Sequence, residues 1–344
     1  MEYEVTIGIP VYNVGRYIRL TMDSALAQTF PSIEFLILDD CGTDDSMDII
    51  RDYQQSHPRG KDIRIVRQPQ NGGLGRARNR IIDEARGKYL YHLDADDSIS
   101  PKTIELLYTN IKKYGAQIAF ASSEWIYEYK DSKKADKHLY DFHVFQEDDS
   151  FPSWVYQQYD NIQANTWNFL IDINVYRENG LRHQPINFWE DFSFTMDLPT
   201  YITRAVLLPD ITYRYYLRKG SLSNFQARKE IKKEEILTTM NAIQQIKDNS
   251  ERLYGKAYFP LRMWKVMITC FYVVSMILRS EKIITPPFTH RELRDFMRYP
   301  VPFRMLLSFR QWRMRHVLLF SLGVLPPSIA VGLMRMVARY KKLL

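Results

Sequence analysis

Short apolar runs alternate with amphipathic stretches through the first third of this chain. Val5–Ile9, Glu34–Leu38, Ile63–Val66, Tyr89–Leu93 and Gln117–Phe120 have the length and composition of buried strands. Between them, residues 16–28, 45–56, 74–86 and 101–114 repeat apolar positions at helical spacing; in the third, Leu74, Ala77, Ile81 and Ala85 share a face. Strands separated by helices of this length predict βαβ units, hence an α/β fold with a mostly parallel sheet. Residues 128–150 are polar and predict an excursion over the sheet edge or a mobile loop. Order is expected again from Trp154 to Ile173, then a helix after Asp191, then two strands, Ala205–Leu208 and Ile211–Leu217, parted by a Pro209-Asp210 turn.

From residue 227 the pattern is helical throughout. Met263–Leu278 is apolar apart from Lys265, and Val317–Met334 is uncharged but interrupted by Pro326-Pro327. Eighteen residues just span a bilayer core of ~30 Å as a helix, but the double proline breaks the helix near its midpoint. Charge sharpens the division. Residues 1–226 hold 25 Lys+Arg and 32 Asp+Glu, whereas residues 227–344 hold 22 and 8, so the net charges are −7 and +14. The domains predicted are therefore 1–226 and a basic, helical 227–344. Arginines and lysines on both sides of the apolar run favour in-plane contact with an anionic membrane surface. A helical subdomain that packs the run as core is the alternative. Nucleic acid is disfavoured, because the basic residues flank an apolar run rather than form a groove-sized helix. Cys41 and Cys270 do not suggest a disulfide framework, and the first strand begins at once. Both features predict a protein of the cytoplasm, and the basic tail predicts a peripheral place on the inner face of the plasma membrane.

Chemistry concentrates where the strands end. Asp39-Asp40 follows one apolar run and Asp94-Ala95-Asp96-Asp97 another. At the carboxyl edge of a parallel sheet, where such sheets hold ligands, these carboxylates would repel one another unless a cation or a donor-rich ligand sits among them. Pro10-Val11-Tyr12-Asn13 closes the first strand, so that Asp40 and the Pro10 backbone form two walls of a slot suited to a uracil edge. Capping and turn roles fit these residues too. Asn71–Asn79 is a glycine-rich turn into a helix; Gly72 and Gly73 let backbone approach a ligand, and Arg78 has the reach for a base or phosphate, or is a surface arginine. Asp94 and Asp96 fall on one side of an extended chain, as ligands for Mg²⁺ or Mn²⁺. Glu190-Asp191, beside Trp189, is a helix cap or a shielded general base. Arg218 with Ser221 offers a cation and a hydroxyl to a diphosphate, or is a basic turn.

In this order, Pro10–Asn13, Asp39-Asp40 with Thr43-Asp44, Gly72–Asn79, Asp94–Asp97, Glu190-Asp191 and Arg218…Ser221 resemble the inverting family 2 glycosyltransferases of the GT-A fold, over about residues 4–223. The resemblance implies a Rossmann-like mixed, mostly parallel nucleotide-sugar-binding sheet followed by the helical region. It implies donor binding by Pro10, Tyr12, Asn13, Asp39, Asp40, Gly73, Arg78, Asp94, Ala95, Glu190, Arg218 and Ser221, metal (Mn²⁺ or Mg²⁺) at Asp94 and Asp96, and Asp191 as catalytic base. The expected reaction moves a sugar from a nucleotide-diphosphate donor, UDP-linked by expectation, to a glycan or lipid-linked acceptor in cell-surface polysaccharide synthesis. A nucleotidyltransferase and a non-catalytic nucleotide-sugar-binding membrane scaffold are the alternatives. One departure stands out: Cys41 and Gly42 follow the Asp pair where the family usually has glycine and serine.

Overall fold

The computed structural model describes residues 3–128, 134–158, 166–186, 190–218 and 230–344. The elements are β1 (Tyr3–Val11), α1 (Ile18–Leu26), β2 (Ile33–Asp39), α2 (Ser46–Ser56), β3 (Ile63–Arg67), α3 (Leu74–Glu84), β4 (Gly87–His92), β5 (Ser98–Ile99), α4 (Thr103–Tyr114), β6 (Ile118–Tyr127), β7 (Lys134–His138), β8 (His143–Phe145), α5 (Ser150–Gln157), β9 (Phe169–Asp172), α6 (Ile173–Glu178), α7 (Glu190–Asp197) and β10 (Ala205–Leu217). There follow β11 (Ile231–Lys232), α8 (Lys233–Asp248), α9 (Phe259–Arg279), β12 (Ile284–Thr285), α10 (His290–Phe296), α11 (Phe303–Ser308), α12 (Arg313–Val324) and α13 (Pro327–Tyr340). The chain divides into two compact units. One takes Met1–Phe151, Ala164–Pro185 and Glu190–Ser223; the other takes Pro152–Gln163, Ile186–Trp189 and Asn224–Leu344.

The first unit is built on one sheet of order β3-β2-β1-β4-β9-β6-β10-β5, with β7 beside β6 and β8 beside β10. Strands β3, β2, β1 and β4 run parallel, in the registers Ile37↔Ile65, Ile9↔Ile37 and Ile7↔Tyr91. Every residue of β2 is buried, as expected of a parallel strand with helices on both faces. Pro10 fits the centre of this sheet because the pairing of β1 with β4 has stopped at Gly8↔His92, so its missing N–H leaves no ladder bond unmade on that side.

β9 enters antiparallel between β4 and β6, so the sheet is mixed, as the resemblance implies. Two local expectations are revised. The polar stretch expected as an excursion contributes β7 and β8, which pair antiparallel with β6 and β10. Pro209-Asp210 does not split two strands: β10 is one strand, with a register irregularity between Leu208 and Ile211 where proline cannot donate to β6. In the second unit, α9 buries most of its length, Met263, Val266, Met267, Cys270 and Val274 being fully enclosed. It is long and apolar enough to cross a membrane by length and composition alone, a test that core helices also pass. The uncharged run Val317–Met334 is shared between α12 and α13, which meet at Leu325-Pro326. Its residues Ala330, Val331 and Met334 are core, whereas Leu318 (61%), Val324 (57%) and Ile329 (54%) are exposed.

Candidate active site

The acidic residues gather at the carboxyl ends of β2 and β4. Asp40 leaves β2, its N–H donating to the Val11 carbonyl (3.0 Å). Its carboxylate accepts the N–H of Gly72 on Oδ1 (2.8 Å) and of Gly73 on Oδ2 (3.0 Å). The glycine turn is thereby hung on Asp40. Gly73, at φ +78°, takes a left-handed conformation that a side chain would strain. Burial raises the Asp40 pKa, against the lowering effect of those two amides. Asp39 Oδ1 accepts the Cys41 N–H (2.9 Å), and Arg67 Nε stands 3.5 Å from Oδ2. Cys41, at φ +62°, occupies a left-handed turn conformation and donates its thiol to the Gln68 carbonyl. That turn is where the family departure lies. Asn13 is also left-handed, φ +53°, and its Oδ1 takes the Thr43 N–H (2.7 Å), closing the slot rim beside the exposed Tyr12.

Across the slot, the four residues Asp94–Asp97 do different things. Asp94 Oδ1 meets Arg78 Nη2 at 3.0 Å, and Asp96 Oδ2 meets Arg218 Nη1 at 2.9 Å. Ala95 is buried. Asp97, which the sequence reading gave no role, turns inward: Tyr213 O–H donates to Oδ2 (2.7 Å) and the Tyr216 N–H to Oδ1 (2.9 Å). Burial, and then the charges of Asp96 and Asp94, push its pKa well above the carboxylate range, so it fastens the loop to β10. Burial also raises Asp96, helped by Asp94 and opposed by Arg218. Arg218 further bonds Glu128 (Nε to Oε2, 2.9 Å) and lies 4.0 Å over the Tyr17 ring.

Arg78 is placed where sequence reading did not put it. It is 1% exposed, and its Nη1 donates to Asp191 Oδ1 at 2.6 Å, across 113 residues of sequence. The signal was present: four residues after Leu74 and four before Ile82, Arg78 lies within the apolar side of α3. The same helix grips the segment leading to α7. Asn79 exchanges two hydrogen bonds with the His183 backbone (both 2.8 Å), and a Cβ on Gly75 would sit 2.4 Å from the Gln184 carbonyl oxygen. Thr166, also missed, donates its hydroxyl to Asp191 Oδ1 at 2.9 Å. Nothing local marks a lone threonine for that task. Burial raises the Asp191 pKa, with Arg78 pulling it down. The Glu190 side chain and Ser221 lie outside the described residues, so of the proposed donor-binding set these two are not placed.

A divalent cation suits this donor set in part. Asp94 and Asp96 each give one oxygen to an arginine, which leaves each with a second, and Mg²⁺ or Mn²⁺ sites of this kind take one or two carboxylates and complete their shell with phosphate and water. Among the described residues, no three His, Cys, Asp or Glu side chains converge as a self-sufficient metal site.

A mixed sheet with a carboxylate-lined slot at the carboxyl ends of its parallel strands, followed by helices, defines an α/β protein that holds its ligand at that edge. The chain belongs to glycosyl transferase family 2, whose model matches residues 6–187. It is 28% identical over 235 residues to the uncharacterized glycosyltransferase YibD of Escherichia coli K12, covering 64% of this chain and 63% of that protein. It is 28% identical over 242 residues to the glycosyltransferase GlyA of Streptococcus pneumoniae, covering 67% and 33%. A stretch of 109 residues is 38% identical to chondroitin synthase of E. coli, covering 32% of this chain and 15% of the synthase. The chain thus spans less than two thirds of the length of each of these three relatives. Among solved structures, S. aureus TarS 1–349 in complex with UDP-GlcNAc superimposes with TM-score 0.63 at 16% identity, over 93% of this chain and 90% of that one. The mannosyltransferase PcManGT of Pyrobaculum calidifontis, in complex with GDP-Man and Mn²⁺, gives 0.52 at 12% identity, over 98% and 88%. The fold is GT-A, and family membership favours neither the nucleotidyltransferase nor the scaffold reading.

Proposed function

We propose that this protein is an inverting glycosyltransferase that moves a sugar from a UDP-linked donor to an acceptor hydroxyl in cell-surface polysaccharide synthesis. The observation that carries the reading is the convergence of Asp94, Asp96 and Asp191 around Arg78 and Arg218, opposite the Asp40-anchored glycine turn. The UDP and UDP-GlcNAc bound to TarS, and the polysaccharide synthases among the relatives, support the donor class and setting.

In the proposed reaction the acceptor oxygen attacks the anomeric carbon from the face opposite the leaving group. Its bond to that carbon forms as the bond from carbon to diphosphate oxygen breaks, and the hydroxyl proton passes to Asp191. A carboxylate whose pKa is raised by burial holds that proton better than a free one. Pro10, Tyr12, Asn13, Asp39, Asp40 and Gly73 hold the nucleotide end. Arg218, near Asp96, offers a guanidinium to the departing diphosphate. Asp94 and Asp96 would hold Mn²⁺ or Mg²⁺, which supplies countercharge to the diphosphate.

The helical unit fits peripheral docking on the cytoplasmic leaflet, where a lipid-linked acceptor would be met. Leu318 on α12 and Ile329 and Met336 on α13 are exposed apolar residues, and Arg310, Arg315, Arg339, Lys341 and Lys342 are exposed with them. Each basic residue near an anionic surface contributes about 1 kcal/mol. The deciding experiment is incubation with a panel of UDP- and GDP-sugars plus Mn²⁺, scoring release of nucleoside diphosphate. Release from one UDP-sugar is the expected result, and no release from any of them would sink the reading.

A further inference from the structure

Both hydrogen bonds that the described residues donate to the Asp191 carboxylate fall on the same oxygen. Arg78 Nη1 and the Thr166 hydroxyl donate to Oδ1, at 2.6 and 2.9 Å. Oδ2 accepts no hydrogen bond from the described residues. A carboxylate rotates about its terminal torsion with little preference, so two donors on one oxygen set the direction of the other.

Both donors are themselves immobilised. Arg78 is fully buried, and its Nη2 is tied to Asp94. Thr166 is wholly buried at the start of a braced segment. The next residue, Trp167, stacks on Tyr213 with ring centroids 4.2 Å apart and planes 11° from parallel. Asn168, left-handed at φ +63°, donates to the carbonyls of Ala121 (2.6 Å) and Ser122 (3.0 Å) and accepts the Thr212 hydroxyl (2.7 Å). Thr166 thus hangs on β6 and β10, and Arg78 on α3. The clamp refers the carboxylate to the sheet and to α3 rather than to the start of its own helix.

We propose that Arg78 and Thr166 are positioning residues that fix Asp191 through Oδ1 and present Oδ2 to the acceptor hydroxyl. This rests on Asp191 being the base. It assigns Arg78 to the base rather than to the nucleotide or phosphate, and it gives Thr166 a part in turnover without contact to the donor. Arg78 also joins Asp191 to Asp94, so the base and the donor side of the slot share one rigid cation.

The test separates turnover from donor binding in the full-length protein. Thr166→Val keeps the shape and removes the donated hydrogen bond, whereas Thr166→Ser keeps that bond. Thr166→Val is expected to lower kcat about 10- to 100-fold. The donor KM and the affinity for UDP with Mn²⁺ should stay within about twofold, and Thr166→Ser should restore most of kcat. A Thr166→Val enzyme with wild-type kcat, a loss carried by KM, or a serine variant no better than valine overturns the clamp. If Thr166→Val does not fold, Arg78→Lys decides by the same split, a loss in KM and UDP affinity alone making Arg78 a donor-binding residue. Asp191→Asn keeps the two failures apart. An active Asp191→Asn enzyme overturns the base assignment and the clamp with it, whereas an inactive one beside a fully active Thr166→Val enzyme overturns the clamp alone.

Discussion

Acid should destabilise this protein through His183, and the size of the effect can be worked out. The His183 ring is fully buried, stacked on Phe194 with centroids 4.1 Å apart and set edge-on to His92 at 6.0 Å. Neither ring nitrogen has a hydrogen-bond partner among the described residues. Burial, and then the charges of Arg78, His92 and Arg182, hold its pKa well below 6.5. Its folded form therefore takes up a proton less readily than the unfolded chain does as pH falls through the ordinary histidine range. A histidine depressed in this way contributes its full stability above the unfolded pKa and loses it as pH falls below that value. With an unfolded pKa of about 6.5, the loss between pH 7.5 and 5.5 reaches at most RT ln 11 less RT ln 1.1, about 1.4 kcal/mol. Raised carboxylates such as Asp97 act in the opposite direction, but equally in a variant that keeps them. His183→Leu leaves the Asn79 clamp intact, because that clamp uses only the His183 backbone. Urea unfolding of both proteins at the two pH values should show wild type losing more stability than His183→Leu on acidification, by up to about 1.4 kcal/mol. Parallel losses would refute the argument, because they would mean that the ring titrates in the folded protein as it does in the unfolded one.

Asp191→Asn should bind UDP as wild type does but turn over between about 10²- and 10⁴-fold more slowly, as measured by donor hydrolysis and calorimetry; weakened UDP binding with intact turnover would make Asp191 a binding residue. Asp96→Ala should lose about 100-fold or more of its Mn²⁺-stimulated turnover while its melting temperature changes little, because Asp96 sits at the slot rim; turnover that stays metal-stimulated at the wild-type level would remove Asp96 from the metal site. Combining Leu318→Gln, Ile329→Gln and Met336→Gln should weaken binding to anionic liposomes at least tenfold without unfolding the helical unit, because all three side chains are exposed. Unchanged liposome binding by this variant would exclude that face as the docking surface. Deleting residues 310–344 would be a poor substitute, since it removes the buried Ala330, Val331 and Met334.

The sequence alone determined the βαβ order, the positions of β1 to β4 and α1 to α4 to within a few residues, and the acidic ends of β2 and β4. These features are local: an apolar run and the carboxylates that close it are adjacent in the chain, and period distinguishes strand from helix. Tertiary structure decided what those carboxylates touch. Asp94, Asp96 and Asp97 are near neighbours in sequence, yet one meets α3, one meets Arg218 and one is buried against β10. That difference depends on strands placed beside them by the antiparallel entry of β9 and the pairing of β10 with β6. The partner of Arg78 lies 113 residues away and that of Thr166 lies 25 away, separations at which no periodicity carries information. The uncharged run near the C-terminus shows the same limit: its composition announced an apolar segment, but only the packing of α12 and α13 sorted Met334 into the core and Leu318 onto the surface. Hydrophobicity fixes that a residue tends to leave water; which surface it leaves water against is settled when the whole chain packs.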